Sequence, residues 1–178
     1  MSRGAPLRAT LVALALAGLT PAVPGQQQPS DGWRPFTAAW ALSGQRHLLS
    51  TEGERPASIV HLSGPFTLTG GEGLGRGFLG EVIGFDDGGG LLVGRAVFTD
   101  QKGDRVYCTL KAEPIGSGRK ATATITGGTG RFAGLEGSFS FAWEYVVSEE
   151  SGDVSLRAVN VEGRTRRAVS SKAPEAPR

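Results

Sequence analysis

Two acidic side chains stand in the middle of segments that alternate apolar and polar residues. These are Glu81 and Glu144. A carboxyl group enclosed in such a segment would line a polar cavity, where it could bind a ligand group or exchange a proton with it. On the opposite face of the same segment it would only meet solvent. Glu144 shares its face with Ser138 and Ser140, so solvent exposure is the default expectation for it.

Large aromatic side chains recur in the same alternating segments. A pocket lined by aromatic residues would bind an apolar or amphipathic molecule, since such pockets are mostly apolar with few polar groups. The candidate ligand-binding residues are therefore Trp40, Phe98, Phe141 and Trp143, together with Glu81 and Glu144.

The sequence does not contain the sets of residues that a disulfide, a zinc site or a dinucleotide site would need. Cys108 is the only cysteine, so a disulfide within the chain is excluded. With His47 and His61 it makes too small a set for a zinc site. The glycine spacing of residues 75–80 matches the dinucleotide-binding fingerprint. The sequence predicts no helix after it, so a dinucleotide site is not expected. We accordingly predict no catalytic residues, no metal and no cofactor. Cys108 is expected to be buried on an apolar face, with pairing between two chains as the alternative.

The first 25 residues have the pattern of a secretory signal peptide. Arg3 and Arg8 precede a short apolar stretch, 11–19, which is too short for a membrane span, and small residues follow. Export to the periplasm or the outside of the cell is therefore expected, with no membrane span in the mature chain. Residues 26–35 are predicted to be a linker and 167–178 a disordered basic tail.

The charge of the mature chain is balanced. The whole sequence has 19 basic and 17 acidic residues, and residues 1–25 contribute two of the arginines and no acid. The basic excess lies in the last fifteen residues, which read as a solvated end of the chain. Without a clustered basic surface in the body, nucleic-acid binding is not expected.

Residues 36–166 are predicted to form an all-β domain. Apolar and polar residues alternate with a period of two, most clearly over 135–148, and glycine-rich turns separate the runs. Eight strands are predicted, at 36–50, 57–69, 76–86, 91–99, 104–113, 119–126, 135–148 and 153–165. Glycines inside the strands favour the tight bending of a small closed barrel, so an antiparallel barrel of about eight strands is expected.

A glycine-rich motif lies between the sixth and seventh predicted strands. Its residues are Gly127, Gly128, Gly130, Arg131, Phe132 and Gly134. The glycines predict a compact chain reversal with positive φ, and Phe132 is expected to tuck under it as a plug. Arg131 is expected to point outward or to bind a carbonyl group. A phosphate-binding loop is disfavoured, because the motif has no Gly-Lys-Ser/Thr and opens no helix.

This motif and the strand that follows it resemble the allene oxide cyclase/dirigent-like barrel group, and small exported bacterial proteins of unassigned function that are similar to that group. The resemblance covers roughly residues 70–165. It implies a β-barrel, and it implies that self-association to a homo-oligomer is to be considered. The cyclase activity of that group needs an acid inside the barrel, and no residue here matches such an acid by position.

Three functions follow from these observations. The first is an exported, non-enzymatic barrel that binds a small apolar molecule or a partner protein. The second is a cyclase or isomerase with Glu81 or Glu144 inside the barrel. The third is a structural module of the cell envelope that uses the barrel wall and the basic tail.

Overall fold

A computed structural model describes residues 32–50, 52, 55–71, 77–115 and 118–168. The predicted signal peptide, residues 26–31 of the predicted linker and residues 169–178 of the predicted tail lie outside this part of the chain. Within the described residues, no helix has the length and hydropathy that crossing a membrane would need.

Eight antiparallel strands close into a barrel, as the sequence predicts. Each strand pairs with the next along the chain, and the last pairs with the first. Every predicted strand bound lies within two residues of the observed one. The strands are β1 (Arg34–Leu49), β2 (Ala57–Gly71), β3 (Gly77–Asp86), β4 (Leu92–Thr99), β5 (Arg105–Ile115), β6 (Gly118–Gly128), β7 (Leu135–Ser148) and β8 (Asp153–Arg167), with a short 3-10 helix at Gly130–Phe132.

The alternation in the sequence sorts side chains between the interior and the outer wall. In β7, Leu135, Phe139 and Phe141 are buried, whereas Glu136 and Glu144 are exposed. The pattern ends before the strand does. Tyr145 has the same parity as Phe139 and Phe141, but it is exposed, because β7 runs on to the rim of the barrel.

The basic stretch at the end of β8 is not a frayed tail. Residues 164–167 are paired in the sheet with β1 and β7. The Nε atom of Arg166 lies 3.1 Å from Oε2 of Glu136, and the guanidinium groups of Arg164 and Arg166 lie over the ring of Trp33. Residues 164–167 are therefore ordered by sheet pairing and by these side-chain contacts, although their composition alone predicts a solvated end of the chain.

One half of the barrel interior is filled by aromatic rings. We call the end with the β2–β3, β4–β5 and β6–β7 connections the closed end, and the other the open end. Phe66 lies 4.9 Å from Phe98 and 5.7 Å from Phe139, centroid to centroid. Near the closed end, the ring of Phe132 lies 5.5 Å from that of Phe78. Among the phenylalanines of this half only about 20 Å³ is left empty.

The glycine-rich motif closes this end, and Phe132 is the buried plug that the sequence predicts. Gly130 and Gly134 have φ of 52° and 70°, in the left-handed region that favours glycine. The prediction of positive φ is wrong for Gly127 and Gly128. A Cβ at Gly128 would lie 2.6 Å from the carbonyl oxygen of Phe132, so close packing of the plug requires this glycine.

An ion pair ties the motif to the β4–β5 turn. Nη2 of Arg131 lies 2.5 Å from Oδ2 of Asp100, whose side chain is only 1% exposed. The backbone N–H groups of Lys102 and Asp104 donate to Oδ1 of Asp100 at 2.7 and 2.9 Å. Arg131 thus turns its guanidinium group to Asp100 rather than simply outward, although it remains partly exposed. Desolvation raises the pKa of Asp100, but the two N–H donors and Arg131 outweigh it and hold the pKa below its usual value.

We expect Asp100→Asn to destabilise the protein at neutral pH and much less in acid. The pKa of Asp100 is lower in the folded state than in the unfolded chain, so its stabilisation is present above about pH 4 and is lost as the pH falls through the folded-state pKa. Urea unfolding between pH 7 and pH 2.5 measures the difference between the two proteins. Asp87→Asn is the matched control, because Asp87 also accepts two turn N–H groups but forms no ion pair within the described part of the chain. A difference that stays constant with pH would contradict the expectation.

Cys108 is buried on the inner face of β5, as the sequence predicts. Burial raises the pKa of its thiol to about 12. Because the thiolate is the reactive species, the folded protein should react very slowly with Ellman's reagent at pH 8. The same protein unfolded in guanidinium chloride should release one equivalent of chromophore promptly. Rapid stoichiometric reaction of the folded protein would show that the thiol is accessible.

Candidate functional site: a pocket in the open half of the barrel

The open half of the barrel contains a cavity of about 70 Å³. We call it the barrel pocket. It exists because the inner wall at this level carries small residues. Gly84 and Gly94 face each other on β3 and β4, and Ala121 lies on β6. The side chains that surround the space are mainly apolar and include Val82, Leu110, Phe141 and Trp143.

Trp40 forms the boundary between the pocket and the filled half. Its ring lies 5.1 Å from that of Phe98 and 5.7 Å from that of Phe141. It lies across the interior because β3 has glycine at position 80, where a Cβ would be 2.8 Å from the indole Nε1 atom. Among the described residues, Nε1 of Trp40 is buried and has no hydrogen-bond acceptor.

An ion pair lies at the pocket's mouth. Nη2 of Arg119, the second residue of β6, lies 2.5 Å from Oδ2 of Asp86, the last residue of β3. Two strands separate β3 from β6 in the barrel order, so the pair crosses the interior and does not lie along the wall. The two side chains are only 11% and 18% exposed. Within the described part of the chain, Nη1 of Arg119 is buried without a hydrogen-bond partner.

Three of the four predicted aromatic site residues line the pocket together, namely Trp40, Phe141 and Trp143. Phe98 instead packs against Trp40 from the filled half and borders the small space there.

Both predicted acids lie outside the pocket. Glu81 is exposed on the outer wall of β3, because the inward positions of that strand are its even-numbered residues. Glu144 is exposed on β7, where its Oε2 atom lies 2.7 Å from Nη2 of Arg157. The alternative in which one of these carboxylates lines the interior is therefore wrong for both residues, and Glu144 is exposed, as its default expectation has it.

Asp86 and Arg119 are pocket residues that the sequence pattern did not single out. Asp86 lies at the start of the glycine-rich turn after β3, where its Oδ1 atom accepts the N–H of Gly88 at 3.0 Å. Arg119 carried a usable signal, since it has the same parity in β6 as Ala121 and Ala123, which are buried. The pairing itself joins residues 33 positions apart, and neither local pattern contains that information.

The polar groups of the pocket are few and are concentrated at its mouth. Ser58, Asp86 and Arg119 are the polar side chains there besides the aromatic ones, and Asp86 is the only acid among the lining residues. Among the described residues no group of three or more His, Cys, Asp or Glu side chains is placed to hold a metal ion. The arrangement suits the binding of a mainly apolar molecule whose polar part lies at the mouth.

Comparison with known proteins finds similarity among solved structures. No protein-family model matches the chain, and no curated protein matches it. Among solved structures, it is similar to the pterocarpan synthase dirigent protein GePTS1, at 14% identity and a TM-score of 0.43, over 76% of this chain and 87% of that one. It is also similar to the pterocarpan synthase dirigent protein PsPTS1, at 16% identity and a TM-score of 0.42, over 75% and 96% of the two chains.

We expect Arg119→Met to lower the free energy of unfolding by about 1–3 kcal/mol, since it leaves a largely buried carboxylate without its partner. The double variant Asp86→Asn/Arg119→Met should recover part of that loss. Urea unfolding at neutral pH measures both.

The control for this prediction is Arg157→Met, which breaks the Glu144–Arg157 pair, with side chains 51% and 63% exposed. Exposed pairs contribute little, so the change should stay below roughly 0.5 kcal/mol. Equal losses in the two single variants would show that the pair at the mouth is as solvated as the one on the wall.

Proposed function

We propose that this chain is an exported, non-catalytic β-barrel that binds one small, mainly apolar molecule in the barrel pocket. The observation that carries the proposal is the unequal filling of the interior. Aromatic rings occupy the closed half, whereas small residues leave a space, bounded by Trp40 and Trp143, in the open half. Export is part of the proposal through the signal pattern of residues 1–25.

The size and lining of the pocket support binding of part of a molecule rather than full enclosure of a large one. An apolar cavity of about 150 Å³ binds benzene. The barrel pocket, at about 70 Å³, is smaller but continues into an open mouth. A ligand would thus insert an apolar end as far as Trp40 and leave its remainder between the mouth residues. Removing that apolar end from water supplies the main favourable free energy.

Exposed apolar side chains around the mouth support the same proposal. Leu48 and Leu49 at the end of β1, Leu91 before β4 and Val146 and Val147 near the end of β7 are all exposed. They lie where the strands reach the open end. An apolar molecule that approaches the pocket would contact these apolar side chains before it enters the interior.

The cyclase alternative has lost the residues that motivated it. That hypothesis placed Glu81 or Glu144 inside the barrel, and both face outward. Asp86, the one carboxylate among the described residues that line the pocket, is engaged by Arg119 and by the N–H of Gly88. Binding therefore fits this interior better than proton transfer does.

We expect ethylbenzene, as a simple apolar probe, to bind with a dissociation constant on the order of 0.1–1 mM, given its few atoms and partial burial. In a ¹H–¹⁵N NMR titration of the folded protein, the indole N–H signals of Trp40 and Trp143 should shift. That of Trp33, which lies near the closed end against Arg164 and Arg166, is the internal reference and should not.

Ala121→Leu extends a side chain into the pocket and should weaken ethylbenzene binding at least fivefold. Thr122→Leu adds a leucine at the next position on the outer wall and should leave the dissociation constant within twofold of the original. Native mass spectrometry of the exported protein, before and after solvent extraction, would reveal a natural ligand as added mass. Absence of any shift at Trp40 and Trp143, at probe concentrations well above 1 mM, would overturn the proposed function.

A further inference from the structure

The unsatisfied polar atoms of the barrel pocket are all of one kind. Nη1 of Arg119 at the mouth and Nε1 of Trp40 at the floor are buried hydrogen-bond donors that lack an acceptor within the described part of the chain. No side-chain acceptor atom of a pocket-lining residue is left in the same condition among those residues. Buried donors without partners are unfavourable, and a group that accepts from them is correspondingly stabilised.

The charge of the pocket is balanced by its own residues. Among the described residues that line it, Asp86 is the only acidic and Arg119 the only basic one, and the two are paired. A carboxylate entering the pocket would approach the Asp86 carboxylate and would have to leave water for an apolar environment. An ammonium group would meet Arg119 under the same penalty. The pocket therefore disfavours both signs of net charge.

We propose that the ligand of the barrel pocket is an uncharged molecule with an apolar end and one hydrogen-bond acceptor, such as a carbonyl oxygen, to which Nη1 of Arg119 donates. The inference rests on the proposed function and adds the chemical class of the ligand to it. Asp86 holds Arg119 by Nη2, whereas Nη1 has no acceptor among the described residues and is left for the ligand. A hydrogen bond from a charged donor is among the stronger ones, and it is lost when the donor is removed.

The test compares two probes that share a phenyl ring. Acetophenone carries a carbonyl acceptor and ethylbenzene carries none. Each is titrated into the folded wild type and into Arg119→Met, with the indole signals of Trp40 and Trp143 as the readout. For each protein we take the ratio of the dissociation constants of ethylbenzene and acetophenone. Comparing this ratio between the wild type and a variant removes the contribution of probe hydration, which is the same for both proteins. Arg95→Met, which removes an exposed arginine from the outer wall of β4, is the matched control.

We expect Arg119→Met to reduce the preference for acetophenone about tenfold relative to wild type, which is the size of one charge-assisted hydrogen bond. Arg95→Met should leave the ratio within twofold. If Arg119→Met does not fold, the double variant Asp86→Asn/Arg119→Met, which has no unpaired carboxylate, gives the same reading. A ratio unchanged by loss of Arg119, with both probes still bound, overturns the inference and leaves the proposed function standing. Failure of both probes to bind the wild type overturns the proposed function itself.

Charged probes test the second half of the inference. Benzoate and benzylammonium should bind the wild type more weakly than acetophenone does. In Asp86→Asn the arginine charge is no longer neutralised, so benzoate binding should strengthen relative to acetophenone binding by several fold. Tighter binding of benzoate than of acetophenone to the wild type would show that the pocket takes an anion, and would overturn the assignment of an uncharged ligand.

Discussion

The pairing of β1 with β8 is the constraint on which the rest of the structure depends. It closes eight strands into a barrel and fixes the width of the interior. An interior of this width is either filled by side chains or left just wide enough for one small molecule. The size of the side chain at each inward position therefore decides how much of the interior is filled and how much is left as a cavity. This chain does both, with phenylalanines in one half and glycine and alanine at the pocket level of the other.

Trp40 is where the two halves meet. Its ring packs against Phe66 and Phe98 on one side and borders the pocket on the other. The absence of a side chain at position 80 is what lets the indole reach across. A structural requirement of the core and the shape of the candidate site are thus met by the same residue, so changes at Trp40 would alter both together.

Most of the fold could be predicted from the sequence, and the reason is physical. Antiparallel strands joined by short turns are specified by neighbouring residues, through the period of two and the glycine-rich turns. The same period correctly placed Cys108 on a buried apolar face. The pattern was ambiguous for Glu81, which lies between Gly80 and Val82. The inward positions of β3 include Gly80 and Gly84, which carry no hydropathy signal, so only the parity of the whole strand shows that Glu81 faces outward.

The candidate site was predicted only in part. The row of aromatic residues indicated an apolar pocket, but the ion pair of Asp86 and Arg119 depends on which strands face each other across the interior. That arrangement follows from barrel closure and from the stagger of the strands, and no local segment encodes it. The depth of the pocket likewise depends on the combined volume of side chains from different strands.

The sealed end has a kinetic consequence. Phe132, held by the glycine-rich turn and by the Arg131–Asp100 pair, blocks the passage at one side of the barrel. The interior is therefore a blind recess and not a channel. Any molecule that occupies it must depart by the route along which it arrived, past the guanidinium group of Arg119. A second molecule cannot pass the first, so the bound molecule must leave through the mouth before another can enter. The rate of ligand exchange is therefore limited by the rate at which the bound molecule dissociates.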